Sequence, residues 1–132
     1  MDTSNLDFDS KLIHSGAVDD AFGSATVPIY QTSTFRFKSA EHGAACFSGE
    51  DKGYIYTRIN NPTIDALERL VADLENGFGG IACSSGMGAV NTIYMGLLKQ
   101  GDHMVSSAAI YGPSRTIMEG QYSKFGIKST YV

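Results

Sequence analysis

The chain has little that would indicate a nucleic-acid partner, a membrane or a secreted protein. Its 132 residues carry a net charge of −4 and no cluster of lysine and arginine, which excludes the basic surface that nucleic acid requires. No uninterrupted apolar run approaches the length of a membrane-spanning helix. The start, Met1–Ser4, is polar and acidic rather than a signal peptide. The sequence therefore predicts a cytoplasmic protein of one-domain size.

Cysteine and histidine are also scarce. Cys46 and Cys83 form no CxxC pair, and without a secretion signal both are predicted to be reduced. Cys83 falls in a short apolar run and is predicted to be a small core residue. His14, His42 and His103 lack metal-ligand spacing, which favours structural or surface roles. No metal site is predicted.

What the chain does contain is a turn of small residues between an apolar run and a helical pattern. Residues 84–88 read SSGMG and follow Ile81–Cys83. The first turn of a helix has N–H groups without partners and a partial positive charge, which suits a phosphate. Gly86 lets the backbone approach a ligand closely, while Ser84 and Ser85 can donate hydroxyl hydrogen bonds. The pattern predicts a phosphate site, with an ordinary tight turn as the alternative.

The apolar periodicity predicts alternating helices and strands from residue 61 onward. Asn61 is a suitable N-cap with Pro62 in the first turn, and the helix that follows is predicted to stop at Gly77. The further elements are a strand over 81–84, a helix from the 84–88 turn to Gly101, a strand centred on 104–105, a helix from Pro113 to Gly126, and a strand over 127–132. Such alternation implies an α/β fold with a parallel sheet covered by helices.

Residues 1 to about 55 show little helical periodicity. Pro28 argues against a central strand over 27–37, and one short helix is predicted over 39–46. Apolar side chains in this segment, such as Ile29 and Phe35, need cover, which favours an extended arm that packs on a partner over a disordered terminus. The predicted division is an extended arm and interface segment at 1–60 and the first part of a larger domain at 61–132.

A second motif precedes the predicted first helix of that domain. Residues 53–63 read GYIYTRINNPT. Arg58 offers a planar, permanently charged group suited to phosphate, and Tyr56 offers a phenol donor nearby. A solvated surface arginine is the alternative.

Several strings in a fixed order together resemble one enzyme family. Besides 53–63, they are HSG at 14–16, VPIYQTSTF at 27–35, LE at 67–68, SGM at 85–87, GDH at 101–103 and IYG at 110–112. The chain resembles the cystathionine gamma-synthase-like family of Cys/Met-metabolism enzymes, which use pyridoxal 5′-phosphate (PLP). The resemblance implies an extended arm followed by the incomplete large domain of a fold-type I PLP enzyme. It also implies an amino-acid substrate and a homo-oligomer, either a dimer or a dimer of dimers.

The resemblance also implies roles for individual residues. Gly86 and Met87 would donate backbone N–H groups to the cofactor phosphate, with Ser85 beside them. Tyr56 and Arg58 would reach across a dimer interface to the phosphate of the neighbouring subunit.

Tyr111 would be the aromatic residue that stacks on the pyridine ring and assists proton transfer. A core tyrosine is the alternative, although its place after a strand and before Gly112 favours the ligand role. Family members that cleave methionine commonly have a cysteine two residues after this tyrosine, where this chain has Pro113. That difference weakens the case for methionine cleavage and leaves sulfhydrylase, synthase and other lyase activities open, within transsulfuration and methionine biosynthesis. The reaction class is elimination or replacement at the γ-carbon, less often the β-carbon, of a sulfur-containing or O-acylated homoserine-type amino acid.

The family's cofactor-bonding lysine and the aspartate that pairs with the ring nitrogen lie downstream of the matched region. None of the lysines present has a matching context. The chain is therefore expected to be the amino-terminal part of an enzyme and to be catalytically silent alone. Two alternatives remain: a non-catalytic binding or assembly module, and a nucleotide-binding Rossmann-like domain. The second is disfavoured because a complete G-x-G-x-x-G is missing.

Overall fold

The computed structural model describes residue 3 and residues 5–132, and the chain divides into two compact units. We call Met1–Ala82 the N-terminal unit and Cys83–Val132 the C-terminal unit, and each is described by itself. Residues 1, 2 and 4 of the predicted arm lie outside the described residues. The packing division does not test the predicted boundary after residue 60, which stays a prediction.

The secondary structure is α/β, as predicted. Among its described residues, the N-terminal unit contains three helices, α1 (Phe8–His14), α2 (Ala40–Ser48) and α3 (Pro62–Leu74). The C-terminal unit contains α4 (Gly86–Leu97), β1 (His103–Ser106), α5 (Gly112–Gly120), a 3₁₀ turn (Tyr122–Phe125) and β2 (Lys128–Tyr131). The two strands pair in parallel, with His103 opposite Lys128 and Ser106 opposite Tyr131. No helix within the described part of the chain is long and apolar enough to cross a bilayer.

Helix α3 begins as its sequence predicts. The Asn61 side chain accepts a hydrogen bond from the Thr63 N–H at 2.9 Å, and Pro62 occupies the first turn. Asn76 takes the left-handed conformation after the helix, and the Gly77 N–H donates to the Ala72 carbonyl at 2.7 Å. The predicted helix and its N-cap are confirmed, but the helix ends at Leu74, and Asn76 rather than Gly77 is the left-handed residue that follows it.

Helix α1 corrects the expectation that the first 38 residues lack a helix. It is only seven residues long, too short for a periodic pattern to predict it, and none of its residues is buried. Polar contacts hold it to α3 instead. Lys11 Nζ lies 3.0 Å from Asp73 Oδ1, and the Ser15 hydroxyl donates to the same carboxylate.

The rest of the arm packs on the segment before α3. Thr34 and Tyr56 form an isolated antiparallel bridge, and the rings of Phe35 and Tyr54 lie 5.4 Å apart. Helix α2 lies where a short helix was predicted. Phe35 is half-buried by this packing, but Ile29 is 83% exposed, so packing of the arm on a partner stays a prediction.

The C-terminal unit has a small apolar core. The buried side chains are Tyr94 from α4, Met118 from α5, Tyr122 from the 3₁₀ turn and Ile127 before β2. The Tyr122 hydroxyl donates to Asn91 Oδ1 at 2.7 Å, which satisfies the polar end of a buried ring. This core fixes α4 and α5 against the sheet.

Several further details of the predicted pattern are wrong. Residues 81–84 form no strand, and Cys83 is exposed rather than in the core. A strand needs a hydrogen-bonded neighbour, and no described segment pairs with this one. Helix α4 ends at Leu97, before Gly101, and α5 ends at Gly120, after which the chain tightens into the 3₁₀ turn before Gly126. Both helices are shorter than predicted because the spacing of apolar residues continues into turns that are not α-helical.

Candidate functional site

The turn before α4 has the geometry of an anion site. Ser85 is the N-cap in extended conformation, and its Oγ accepts the Gly88 N–H at 3.0 Å. Its carbonyl accepts the Ala89 N–H at 3.0 Å. The cap therefore satisfies the amides of the third and fourth helical residues.

The amides of Gly86 and Met87 remain available. Neither donates to a protein acceptor among the residues the structure describes. A Cβ atom added at Gly86 would meet no atom within 4 Å, so the space in front of the turn is open. Two unpartnered N–H groups at the positive end of a helix suit a phosphate.

Tyr111 lies at the N-cap position of the second helix of this unit, α5. Its side chain is 66% exposed. The loop before it is held to the carboxyl end of β2, since the Ala108 N–H donates to the Val132 carbonyl at 2.7 Å. The exposed ring is thus presented by a fixed backbone.

The starts of α4 and α5 meet. Buried Ser114, in the first turn of α5, places its Oγ 3.8 Å from the Met87 Sδ. The loop from β1 to α5 leaves the carboxyl end of the parallel strands, where α/β folds bind ligands. The structure therefore brings Ser85, Gly86, Met87 and Tyr111 to one edge of the C-terminal unit.

Tyr56 and Arg58 lie together in the N-terminal unit. The Arg58 guanidinium carbon is 5.3 Å from the centre of the Tyr56 ring, a cation–π distance. Arg58 is exposed and forms no ion pair with another described residue. Its charge is therefore not compensated within the described part of the chain.

Sequence reasoning missed a second polar cluster in the same unit. His42 and Cys46, one helical turn apart on α2, join Asp51: His42 Nε2 lies 3.5 Å from Cys46 Sγ and 3.7 Å from Asp51 Oδ2. The Lys38 N–H donates to His42 Nδ1 at 3.1 Å, so the proton of a neutral ring is on Nε2 and faces the other two groups. A metal would need the Nε2 lone pair, and the cluster is therefore better described as hydrogen-bonded.

This edge of the C-terminal unit offers the chemical groups that a phosphorylated ring would require. It combines amide donors and hydroxyl groups for a phosphate with an exposed aromatic side chain on the neighbouring helix start. The donors, the open space at Gly86 and the ring of Tyr111 fit PLP, whose phosphate and pyridine need these two kinds of partner.

Comparison with known proteins agrees with this class. The Cys/Met metabolism PLP-dependent enzyme family matches residues 9–132, and the chain belongs to that family. The L-methionine gamma-lyase of Fusobacterium nucleatum is 47% identical over 120 residues, 91% of this chain and 30% of that protein. The O-acetyl-L-homoserine sulfhydrylase of Corynebacterium glutamicum is 41% identical over 135 residues, 99% of this chain and 31% of that protein.

Solved structures show the same fold. A Campylobacter jejuni protein assigned as an O-acetylhomoserine (thiol)-lyase has a TM-score of 0.87 at 33% identity, covering 96% of this chain and 31% of its own. That structure carries a pyridoxyl-lysine monophosphate. The chain thus spans about three tenths of the length of these relatives. The predicted family, fold-type I architecture and PLP cofactor are confirmed, whereas the roles of the six site residues stay predictions.

Proposed function

We propose that this chain supplies part of the cofactor site of a PLP-dependent enzyme that acts on sulfur-containing or O-acylated homoserine-type amino acids. The reaction would be elimination or replacement at the γ-carbon, less often the β-carbon. The observation that carries the proposal is the pair of amides at the start of α4, which have no acceptor among the described residues, beside the loop of Tyr111. When bound, PLP supplies the electron-accepting ring that this chemistry needs.

The residues of the C-terminal unit bind and orient the group. The Gly86 and Met87 amides donate to the phosphate, and the Ser85 hydroxyl lies beside them. The ring of Tyr111 stacks on the pyridine, and its phenol holds or passes a proton at Oη. Fixed donors of this kind require little reorganisation when the charged ligand binds.

Tyr56 and Arg58 complete the phosphate site from a neighbouring subunit. Arg58 offers two parallel N–H donors to phosphate oxygens, and its charge is uncompensated among the described residues. This role requires a homo-oligomer, a dimer or a dimer of dimers. A cytoplasmic location and a part in methionine biosynthesis remain predictions from the sequence.

The phosphate site is tested by titrating the chain with inorganic phosphate and with pyridoxine 5′-phosphate, which has no aldehyde and cannot bond to lysine. Met87→Pro removes one amide at a position where proline is tolerated in a helix. A lost hydrogen bond to a charged group predicts about a tenfold or larger loss of affinity. Glu41→Pro, the same helical position in α2, is the control and keeps wild-type affinity. Equal affinity of the two variants would contradict the site.

We further propose that the chain alone does not turn over amino acids, because none of its lysines has the context of the family's cofactor-bonding lysine. Incubation with PLP and an amino-acid substrate should give no turnover, and borohydride reduction with peptide mapping should find no lysine that is modified selectively. Robust turnover together with PLP trapped on one lysine would overturn this point. Failure to bind either phosphate ligand would favour the alternative of a non-catalytic assembly module.

A further inference from the structure

Asn61 uses both ends of its side-chain amide and is only 2% exposed. Its Oδ1 caps α3 by accepting the Thr63 N–H at 2.9 Å. Its Nδ2 donates in the other direction, to the Tyr30 carbonyl at 2.9 Å and to Thr57 Oγ1 at 3.0 Å. Asn61 therefore joins the start of α3 both to the arm and to the loop that carries Arg58.

Thr57 stands between Tyr56 and Arg58 and is held on two sides. Its N–H donates to the Ser33 carbonyl at 2.9 Å, and its hydroxyl donates to the Thr32 carbonyl while it accepts from Asn61. The Tyr56 carbonyl accepts the N–H groups of residues 59 and 60 at 2.8 and 3.0 Å, so Arg58 lies inside a closed turn.

The acceptors on the arm are fixed as well. The Thr63 hydroxyl donates to the Pro28 carbonyl at 2.7 Å and accepts the Tyr30 N–H at 2.9 Å. The arm, the turn and the first turn of α3 thus form one hydrogen-bonded network around the Asn61 amide. We call this network the amide clasp.

Capping alone does not explain asparagine at this position. Serine, threonine and aspartate also cap helices, because a cap needs only an acceptor. A side chain that caps and also donates two hydrogen bonds needs an amide of this length. We propose that Asn61 is a positioning residue: through the amide clasp it holds Tyr56 and Arg58 in the geometry that receives a phosphate. This inference rests on the proposed function.

Asn61→Asp separates the two uses of the side chain, since it keeps the capping acceptor and the shape but loses both donors. Asn60→Asp is the matched control. It adds the same charge one residue away and keeps the Oδ1 that accepts the Asn61 N–H at 2.8 Å. The measurements are amide hydrogen exchange at Thr57 and Thr63, the Arg58 Nε resonance, and affinity for pyridoxine 5′-phosphate.

In Asn61→Asp we expect at least about tenfold faster exchange at Thr57, retained protection at Thr63, and about a threefold or larger loss of ligand affinity beyond that of Asn60→Asp. Thr57→Val keeps Asn61 and its cap, and should reproduce the loss, while Thr57→Ser should restore wild-type behaviour. This second pair keeps the test decisive if Asn61→Asp does not fold.

The outcomes distinguish the two proposals. If Arg58→Gln weakens binding but Asn61→Asp and Thr57→Val match the Asn60→Asp control, the positioning role is wrong and the phosphate role of Arg58 stands. If Arg58→Gln binds like wild type, the phosphate role of Arg58 is wrong, and the positioning role fails with it.

Discussion

The two units of this chain are stabilised in different ways. The C-terminal unit has a small apolar core around Met118, which is fully buried, and a pair of parallel strands. In the N-terminal unit, two of the most buried residues are the polar Ser15 and Asn61, and both make directed hydrogen bonds. The free energy gained by burying an apolar side chain does not depend on the direction of its contacts, whereas a hydrogen bond forms only when donor and acceptor have the right distance and angle. The stability of the C-terminal unit should therefore depend most on the side-chain volume in its core. The stability of the N-terminal unit should depend more on keeping its hydrogen-bond partners.

The largest expected effect is in the apolar core. Met118→Ala leaves a cavity where no solvent reaches and should lower the unfolding free energy of the C-terminal unit by about 2–5 kcal/mol. Met95→Ala, at an exposed position of α4, is the control and should stay within about 0.5 kcal/mol. Denaturant-dependent amide exchange at β1 and β2 measures both. Equal losses of stability in the two variants would contradict the role of the apolar core in stabilising the C-terminal unit.

The second largest loss of stability is expected where the backbone at Gly16 lies close to the backbone of α3 in the N-terminal unit. Gly16 has φ 77°, and a Cβ atom there would overlap the Ala66 carbonyl oxygen of α3. Gly49 has φ 78° with no atom within 4 Å of such a Cβ. Gly49→Ala should cost about 1–2 kcal/mol for the left-handed conformation alone. Gly16→Ala should cost clearly more, because α1 and α3 must also separate.

Amide exchange across α1 and α3 measures the second effect. Equal losses in Gly16→Ala and Gly49→Ala would mean that the contact between Gly16 and α3 contributes nothing beyond backbone conformation. The polar contacts of Asp73 would then remain the main link between these two helices.

These differences also explain what could be predicted from the sequence. Asn61 and Pro62 carry a local start signal, and β1 and β2 sit between clear turns, so their elements were predicted. Helix α1 has only seven residues, fewer than two helical turns, and so carries too little pattern to be predicted. The predicted strand over 81–84 rests on the apolar run at 81–83, and a short apolar run does not reveal whether a neighbouring strand is present.

The candidate site also has features that the sequence predicts and features that it does not. The small-residue turn and Arg58 were found because glycine, serine and arginine suit phosphate by their own chemistry. The meeting of Ser114 with Met87 and the amide clasp of Asn61 depend on contacts between distant parts of the sequence. No local pattern encodes those contacts.

A smaller effect tests the polar end of the apolar core. Tyr122→Phe removes the hydroxyl that donates to Asn91 Oδ1 at 2.7 Å and should cost about 0.5–1.5 kcal/mol. Tyr111→Phe changes an exposed ring by the same atom and should stay within about 0.5 kcal/mol in stability. Denaturant unfolding monitored at β1 and β2 compares them. A larger loss in Tyr111→Phe would show that its hydroxyl has a structural partner.

The smallest effect is the acid response of the contact between α1 and α3. Hydrogen bonds from the Ser15 hydroxyl, then from Lys11 and Thr3, hold the pKa of the Asp73 carboxyl below its ordinary value of 3.8. Because the folded state favours the carboxylate, the stabilisation is complete above that ordinary pKa and is lost as pH falls through the lower folded-state pKa.

Chemical shifts of α1 backbone atoms should therefore be constant near neutral pH and change only in strong acid, together with the Asp73 carboxyl carbon. Asp73→Asn, which keeps one acceptor but cannot titrate, should abolish this acid step. An unchanged acid step in that variant would assign the response to another carboxylate and would remove Asp73 as the pH-sensitive link between the two helices.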